Sequence, residues 1–359
     1  MIIIYENQEL PQELKPFVKE NRCGFLNINN ENYFIAPKIS NDDKTNQKIF
    51  MYMLFFAYDI KITNEDLASF ENQEFKIFDI FIKYFTQELL QELKKGVYKS
   101  YIVEEENLKV LKGSYLIEKN FTNFYHQNIY CQYDEFSMDN QLNRFFLYAI
   151  DTFLKHSNYE NLYKCKMIFD EVDKINMDID RLNIHFDRLN ERYEKSFRLA
   201  IMILRALVSD IKDSNKNSFA FLFDMAEVFE KFVGNIYKKI DKDVKLQSQK
   251  NFGNLQLIPD IISNNMIIDT KYKIVKNKDD LVTNDKYQMF TYGINFNIRD
   301  TMLLYPKHLF DVKEDLKLGV NENLVKLKMR SLDLNFDGCY EEFIREIKQR
   351  MEEIRDERR

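Results

Sequence analysis

Asp260, Asp269 and Lys271 are the residues whose types and spacing best suit phosphodiester chemistry. They lie in Leu255-Gln-Leu-Ile-Pro-Asp260-Ile-Ile-Ser-Asn-Asn-Met-Ile-Ile-Asp269-Thr-Lys271. With Asn264-Asn265 as a two-residue hairpin turn, where Asn tolerates positive φ, Ser263 faces Met266 and Ile262 faces Ile267. Asp260 then falls opposite Asp269. Opposed carboxylates repel across strands. A divalent cation such as Mg²⁺, which takes hard oxygen ligands, converts that repulsion into a binding site. Lys271, two residues beyond Asp269, shares its face of the strand. Such a set suits metal-assisted hydrolysis: the metal polarises a phosphate and activates water, and the ammonium offsets developing charge. The bland alternative is a surface hairpin with scattered charge. Asp-x-Lys alone carries no weight, since Asp59-Ile-Lys61, Asp243-Val-Lys245 and Asp311-Val-Lys313 match it and read as solvated charges.

Neighbouring elements add to the hairpin. Ser218 to Ile240 reads as one helix, with Leu222, Met225, Phe229, Phe232, Val233, Ile236 and Ile240 as its buried stripe. Glu230 sits on the flank of that stripe, beside Ala226 and Tyr237, while Glu227 points to solvent. By itself Glu230 is a boundary residue; before two aspartate-bearing strands it is a candidate third carboxylate. Downstream, Asp285 to Tyr292 opens a helix with Asn284 or Asp285 as N-cap. Gln288 and Tyr292 are i and i+4 and share a face; the alternative is an ordinary half-buried helix face.

Helix with Glu, strand with Pro-Asp, strand with Asp-x-Lys, then helix with Gln-x-x-x-Tyr resembles the PD-(D/E)xK nuclease superfamily. Longer stretches resemble the McrC family, the nuclease subunit of McrBC-type modification-dependent restriction systems. They are Phe221 to Val233 and Asp269-Thr-Lys-Tyr-Lys273, with Ile49 to Tyr58, Gly96-Val-Tyr-Lys-Ser-Tyr101, Leu108 to Gly113, Tyr133-Asp-Glu-Phe136 and Asp139 to Arg144 ahead of them in family order. The hairpin, whose spacing varies in the family, is short here. Thr270 stands where Ala is usual and is expected to change little, because its position faces away from Asp269 and Lys271.

The resemblance implies an Mg²⁺-dependent endodeoxyribonuclease, with Mn²⁺ as a possible substitute. It assigns metal binding to Asp260 and Asp269, with Glu230 assisting, and water orientation and charge stabilisation to Lys271. Gln288, Tyr292 and Lys273 would support the site or contact the DNA backbone. It further implies double-stranded DNA as substrate and docking on a McrB-like AAA+ GTPase hexamer, whose hydrolysis the N-terminal half would stimulate.

Composition fits a soluble cytoplasmic enzyme. The 359 residues are 45% hydrophobic and 31% charged, as in ordinary globular proteins. No apolar run of about 18 residues predicts a membrane span, and Met1-Ile-Ile-Ile-Tyr5 reads as an opening strand rather than a signal peptide. Cys23, Cys131, Cys165 and Cys339 are scattered without C-x-x-C, which argues against zinc and disulfides; the four histidines are equally dispersed. The net charge of −6 argues against strong unaided DNA binding, which normally needs a basic excess, so a partner is expected to deliver the DNA. One alternating row, Lys326, Lys328 and Arg330 against Val325, Leu327 and Met329, suits a DNA track or the solvated face of an edge strand. The P-loop pattern G-x-x-x-x-G-K-[ST] does not occur, so nucleotide hydrolysis belongs to another chain.

The expected fold class is an α+β N-terminal and helical region followed by an α/β PD-(D/E)xK nuclease domain with a mixed central sheet. Residues 1–136 form the docking α+β domain, 137–210 a helical connection and 211–359 the nuclease domain. The polar run Asp210 to Asn217 marks the last boundary. Within this frame, 1–46 is strand-rich with a hairpin near Gly24 to Ala36, 47–96 helical to a stop at Gly96, 98–132 stranded and 138–209 mostly helical. Thr301 to Tyr305 is a strand, and Glu341 to Ile354 an amphipathic helix that packs on the sheet or meets a partner. Two other functions compete: a free-standing DNA repair or defence nuclease, against which the acidic charge and the large non-nuclease half argue, and a non-catalytic NTPase activator, against which the intact Asp, Asp and Lys argue.

Overall fold

The computed structural model describes residues 2–6, 8–19, 21–28, 31–37, 39–40, 42–60, 77–124, 127–208, 219–307 and 310–357. The polar run Asp210 to Asn217 lies outside them. Two compact units emerge, one of residues 1–64 with 206–359 and the other of 65–205. The first opens with β1 (Ile2–Tyr5), β2 (Arg22–Ile28), β3 (Glu31–Ala36) and α1 (Asp43–Ala57). The second holds α2 (Ile77–Leu93), β4 (Ser100–Leu108), β5 (Ser114–Tyr115), α3 (Ile117–Phe121), β6 (Ile129–Ser137), α4 (Gln141–Phe153), α5 (Glu160–Ile168) and nearly all of α6 (Glu194–Ala206). The first resumes with β7 (Leu207–Val208), β8 (Phe219–Asp224), α7 (Met225–Ile240), β9 (Lys245–Leu246), β10 (Lys250–Phe252), β11 (Leu255–Leu257), β12 (Ile261–Ser263) and β13 (Met266–Thr270). It ends with α8 (Thr283–Asn295), β14 (Asp300–Pro306), β15 (Lys313–Leu318), β16 (Val325–Leu332) and α9 (Tyr340–Asp356).

This differs from the sequential division at 136/137 and 210/211. The reason is one strand pairing. β8 lies antiparallel to β2, Phe25 opposite Phe221, in a sheet ordered β1-β3-β2-β8-β7. The first strands therefore fold with the C-terminal part. Phe50 of α1 packs on this sheet against Phe25, Phe34 and Phe223. Phe219–Asp224 is thus a strand and not the first turns of a helix, which moves Leu222 from the helical stripe into the sheet. Asp224 ends the strand and caps α7, its carboxylate accepting from the Ala226 N–H.

The second sheet of this unit, ordered β15-β16-β14-β13-β12-β9, is mixed. β13, β14 and β16 run parallel; β15, β12 and β9 are antiparallel to their neighbours. α8 is the crossover from β13 to β14. Its Met289 and Tyr292 pack on Ile267, Leu303, Leu327 and Met329, the same-face residues of three strands. α7 packs against β13, and α9 against both α7 and β16, with Phe343 stacked on Phe232. The C-terminal amphipathic helix is therefore a core element: Phe343, Ile344, Ile347 and Met351 are buried.

β16 is an interior strand, so the edge-strand reading of its basic row does not hold. Within the row, buried Arg330 is ion-paired with Asp315 and Glu357, both at 2.8 Å, and Lys328 Nζ donates to the Glu357 carbonyl at 3.3 Å, so neither is a free cation.

In the second unit β4, β6 and β5 form an antiparallel sheet, and the expected stripe Leu142, Phe145, Phe146, Ala149, Ile150 and Phe153 of α4 is buried. Residues 169–190 depart from the helical expectation. There the Asp178, Asp187 and Asn190 side chains accept from nearby backbone N–H groups, a local pairing that competes with helix.

Candidate active site

The hairpin folds as its sequence predicts. Asn264 and Asn265 adopt φ of 46° and 59°, both positive as a primed turn requires. The register is Ser263↔Met266, Ile262↔Ile267 and Ile261↔Ile268. One further step would oppose Asp260 to Asp269, but the ladder stops at Ile261. The Asp260 side chain turns to Thr270 instead: Oδ2 accepts from the Thr270 N–H at 2.7 Å and from its hydroxyl at 2.8 Å. Thr270 faces away from Asp269 and Lys271 as expected, yet both of its donors meet Asp260.

Asp269 is almost completely buried at 1% exposure. The Lys271 ammonium lies 2.6 Å from its Oδ2, and no further donor reaches that oxygen among the described residues. Its Oδ1 accepts from Gln288 Nε2 at 3.3 Å. Burial, then the charge of Asp260, push Asp269 up to about 7 against the pull of Lys271. Its ionised form is therefore disfavoured. Burial would lower Lys271, but Asp269, with Asp285 and Asp260, outweighs it and raises the ammonium.

Gln288 and Tyr292 are joined to this pair. Gln288 Oε1 accepts from Lys271 Nζ at 3.0 Å, and its Nε2 donates to Tyr292 Oη at 3.0 Å. Tyr292 Oη donates to the Ile258 carbonyl, also at 3.0 Å. The chain Lys271–Gln288–Tyr292–Ile258 ties β13 through α8 to the residue before Pro259-Asp260. That is more than a half-buried helix face. α8 begins earlier than expected, with Val282 as N-cap and no side-chain cap. Asp285 is drawn instead into an ion pair with Lys273, so Lys273 is engaged and not a free cation.

Glu230 faces the same neighbourhood from α7. Burial, then the charge of Asp260, raise its carboxyl, and Gln247 Nε2 donates to its Oε1 at 2.7 Å. Gln247 also donates its backbone N–H to the Asp260 carbonyl at 2.9 Å, from a left-handed φ of 44°. Sequence reasoning missed Gln247 entirely, because nothing in its type announces a positive φ. Glu227, expected in open solvent, pairs with Lys231 at 2.6 Å.

Among the described residues no three or more His, Cys, Asp or Glu side chains form a metal-holding group. The donors present still fit Mg²⁺, which keeps several waters and is held by one or two carboxylates plus substrate phosphate. Asp260 Oδ1 accepts no hydrogen bond among the described residues, and buried Asp269 gains most from a neighbouring cation. Zinc does not fit, since no cysteine or histidine belongs to the set.

The raised carboxyl of Asp269 has a consequence for stability. Between about pH 4, the ordinary carboxyl range, and about pH 7, the folded chain holds a proton that the unfolded chain has lost. Stability therefore falls as pH rises through that window, and the cost is fully present above it. Asp269→Asn, which cannot ionise, is expected to gain urea stability relative to the unsubstituted chain between about pH 5 and about pH 8. A gap that stays constant would show that Asp269 titrates as an ordinary carboxylate.

No curated protein matches the chain. Similar solved structures include the half-complex from the tetradecameric assembly of Thermococcus gammatolerans McrB AAA+ hexamers with bound McrC. That match has 20% identity, a TM-score of 0.49, and covers 93% of this chain and 83% of that one. Another is the cryo-EM structure of the Thermococcus gammatolerans McrBC complex, with 25% identity, a TM-score of 0.42, and 61% of this chain and 66% of that one covered. The family model for the McrBC 5-methylcytosine restriction system component matches residues 18–306, most of the chain. The chain belongs to that family.

Proposed function

We propose that this chain is the DNA-cutting, McrC-type subunit of a modification-dependent restriction complex. In this reading it is a cytoplasmic Mg²⁺-dependent endodeoxyribonuclease of the PD-(D/E)xK superfamily, working with a McrB-like AAA+ GTPase hexamer on double-stranded DNA. The observation that carries the proposal is the joining of Asp269, Lys271, Gln288 and Tyr292 in one hydrogen-bonded set beside Asp260.

Asp260 and Asp269 are the carboxylates that would hold the metal, and Glu230 is an outer carboxylate beside Asp260. Bound Mg²⁺, or Mn²⁺ in its place, would polarise the scissile phosphate and activate water. Lys271 places its positive charge next to Asp269, where charge develops on the phosphate. Gln288 grips Lys271 with its carbonyl and Asp269 with its amide, fixing the two against each other. Tyr292 anchors Gln288 to the Ile258 carbonyl, just before Pro259-Asp260. Lys273 contacts the DNA backbone only when its pair with Asp285 opens.

Docking on the ring is assigned to the 65–205 unit. Its β4-β6-β5 sheet, α3 and neighbouring turns expose Tyr101, Val103, Val110, Leu111, Phe121 and Phe124, the last two 85% and 92% exposed. Docking on the ring, the partner this reading requires, would bury these exposed apolar side chains.

The test is cleavage of modified plasmid DNA by the chain with its cognate ring, GTP and Mg²⁺. Cutting that needs all three, and that stops on chelation, is expected. Stimulation of the ring without cutting would favour the non-catalytic activator. Robust cutting without the ring would favour the free-standing nuclease.

A further inference from the structure

Thr270 lies between Asp269 and Lys271, and strand alternation sends its side chain to the opposite face from theirs. Both of its donors nevertheless meet Asp260, and both meet the same oxygen: the N–H reaches Oδ2 at 2.7 Å and the hydroxyl reaches it at 2.8 Å. This is possible because Asp260 lies one residue beyond the end of the β12–β13 ladder. There its side chain supplies the acceptor that a backbone carbonyl would give within the sheet. The terminal torsion of an aspartate is otherwise broad; two donors on one oxygen fix it.

We propose that Thr270 is a positioning residue for the metal carboxylate Asp260: by tying down Oδ2 it presents Oδ1 as the metal-ligating oxygen. The proposal rests on the reading of Asp260 and Asp269 as metal carboxylates. The physical reason is the ion's own geometry. Mg²⁺ demands a near-ideal octahedron, so a carboxylate free to rotate binds it less well than one already placed. Any residue at 270 except Pro offers the backbone donor. The hydroxyl is the specific contribution of Thr, and it doubles the restraint.

The experiment uses the full chain and reads Mn²⁺ binding directly, by electron paramagnetic resonance of free Mn²⁺, beside cleavage with the ring present. Thr270→Val keeps the shape and removes the hydroxyl. It is expected to weaken Mn²⁺ binding by about 10- to 100-fold, the range for lost support of a metal ligand. The Mg²⁺ concentration for half-maximal cleavage should rise by a similar factor, and saturating Mg²⁺ should restore most of the rate. Thr270→Ser, which keeps the hydroxyl, should stay near the unsubstituted chain. Thr270→Ala, a smaller change, repeats the test if the Val variant folds poorly.

A lowered melting temperature with unchanged Mn²⁺ affinity would overturn the proposal, since the bond would then only pin the strand end. Asp269→Asn separates the two readings. If it binds Mn²⁺ as the unsubstituted chain does, the metal-site reading itself fails. If it loses Mn²⁺ while Thr270→Val keeps it, only the role of Thr270 fails.

Discussion

Asp269→Asn and Lys271→Ala are each expected to lower DNA cleavage by at least about 10²- to 10³-fold, the typical cost of removing one preorganised charge at a reacting centre. Both should remain folded and still bind the ring. The two losses should differ in kind. Asp269→Asn removes a ligand oxygen charge, and no pH change returns it. Lys271→Ala leaves the carboxylate in place but strips its counter-charge, now 2.6 Å away. Burial and Asp260 already push Asp269 up to about 7, and without Lys271 it rises further. Metal binding by Lys271→Ala should therefore recover in part as pH is raised, and that of Asp269→Asn should not. Single-turnover plasmid cleavage with ring, GTP and Mg²⁺, across a pH series, checks both expectations. Cleavage by either variant at the unsubstituted rate would remove these residues from the active site.

The second large effect concerns the ring. The chain has no P-loop pattern and a net charge of −6, so alone it should show no GTP hydrolysis and should cut DNA poorly. Added to a cognate ring it should raise GTP turnover. Truncation to 211–359 is not a clean test of docking, because it removes β2, against which β8 is paired along its whole length. Charged or polar replacements on the exposed apolar surface leave the cores intact. Val103→Asp with Phe121→Ser and Phe124→Ser is expected to abolish most of the stimulation while the fold, read by circular dichroism, is kept. Equal stimulation by this variant would move docking to the unit that carries Asp260 and Asp269.

The sequence by itself determined the local chemistry of the site. Asn-Asn fixed the turn, and the turn fixed the register, because a one-residue slip would reverse every side chain of β12 and β13. The 3.6-residue period placed Gln288 over Tyr292, and the period of two placed Lys271 with Asp269. What it could not supply was any contact made between distant segments. The pairing of β8 with β2 joins residues about 200 apart, and no local pattern records that partner. Reading Phe219–Asp224 as helix followed from the same blindness, since a short apolar run before an amphipathic helix has no period of its own. Thr270 and Gln247 were decided by tertiary structure alone. Thr270 points away from its motif, and it acquires a role only because Asp260 leaves the ladder and turns to meet it. Gln247 bridges Glu230 and Asp260 from a backbone at positive φ, which its residue type does not announce. Periodicity tells which face a side chain leaves from; the packing of separate elements decides what it meets there.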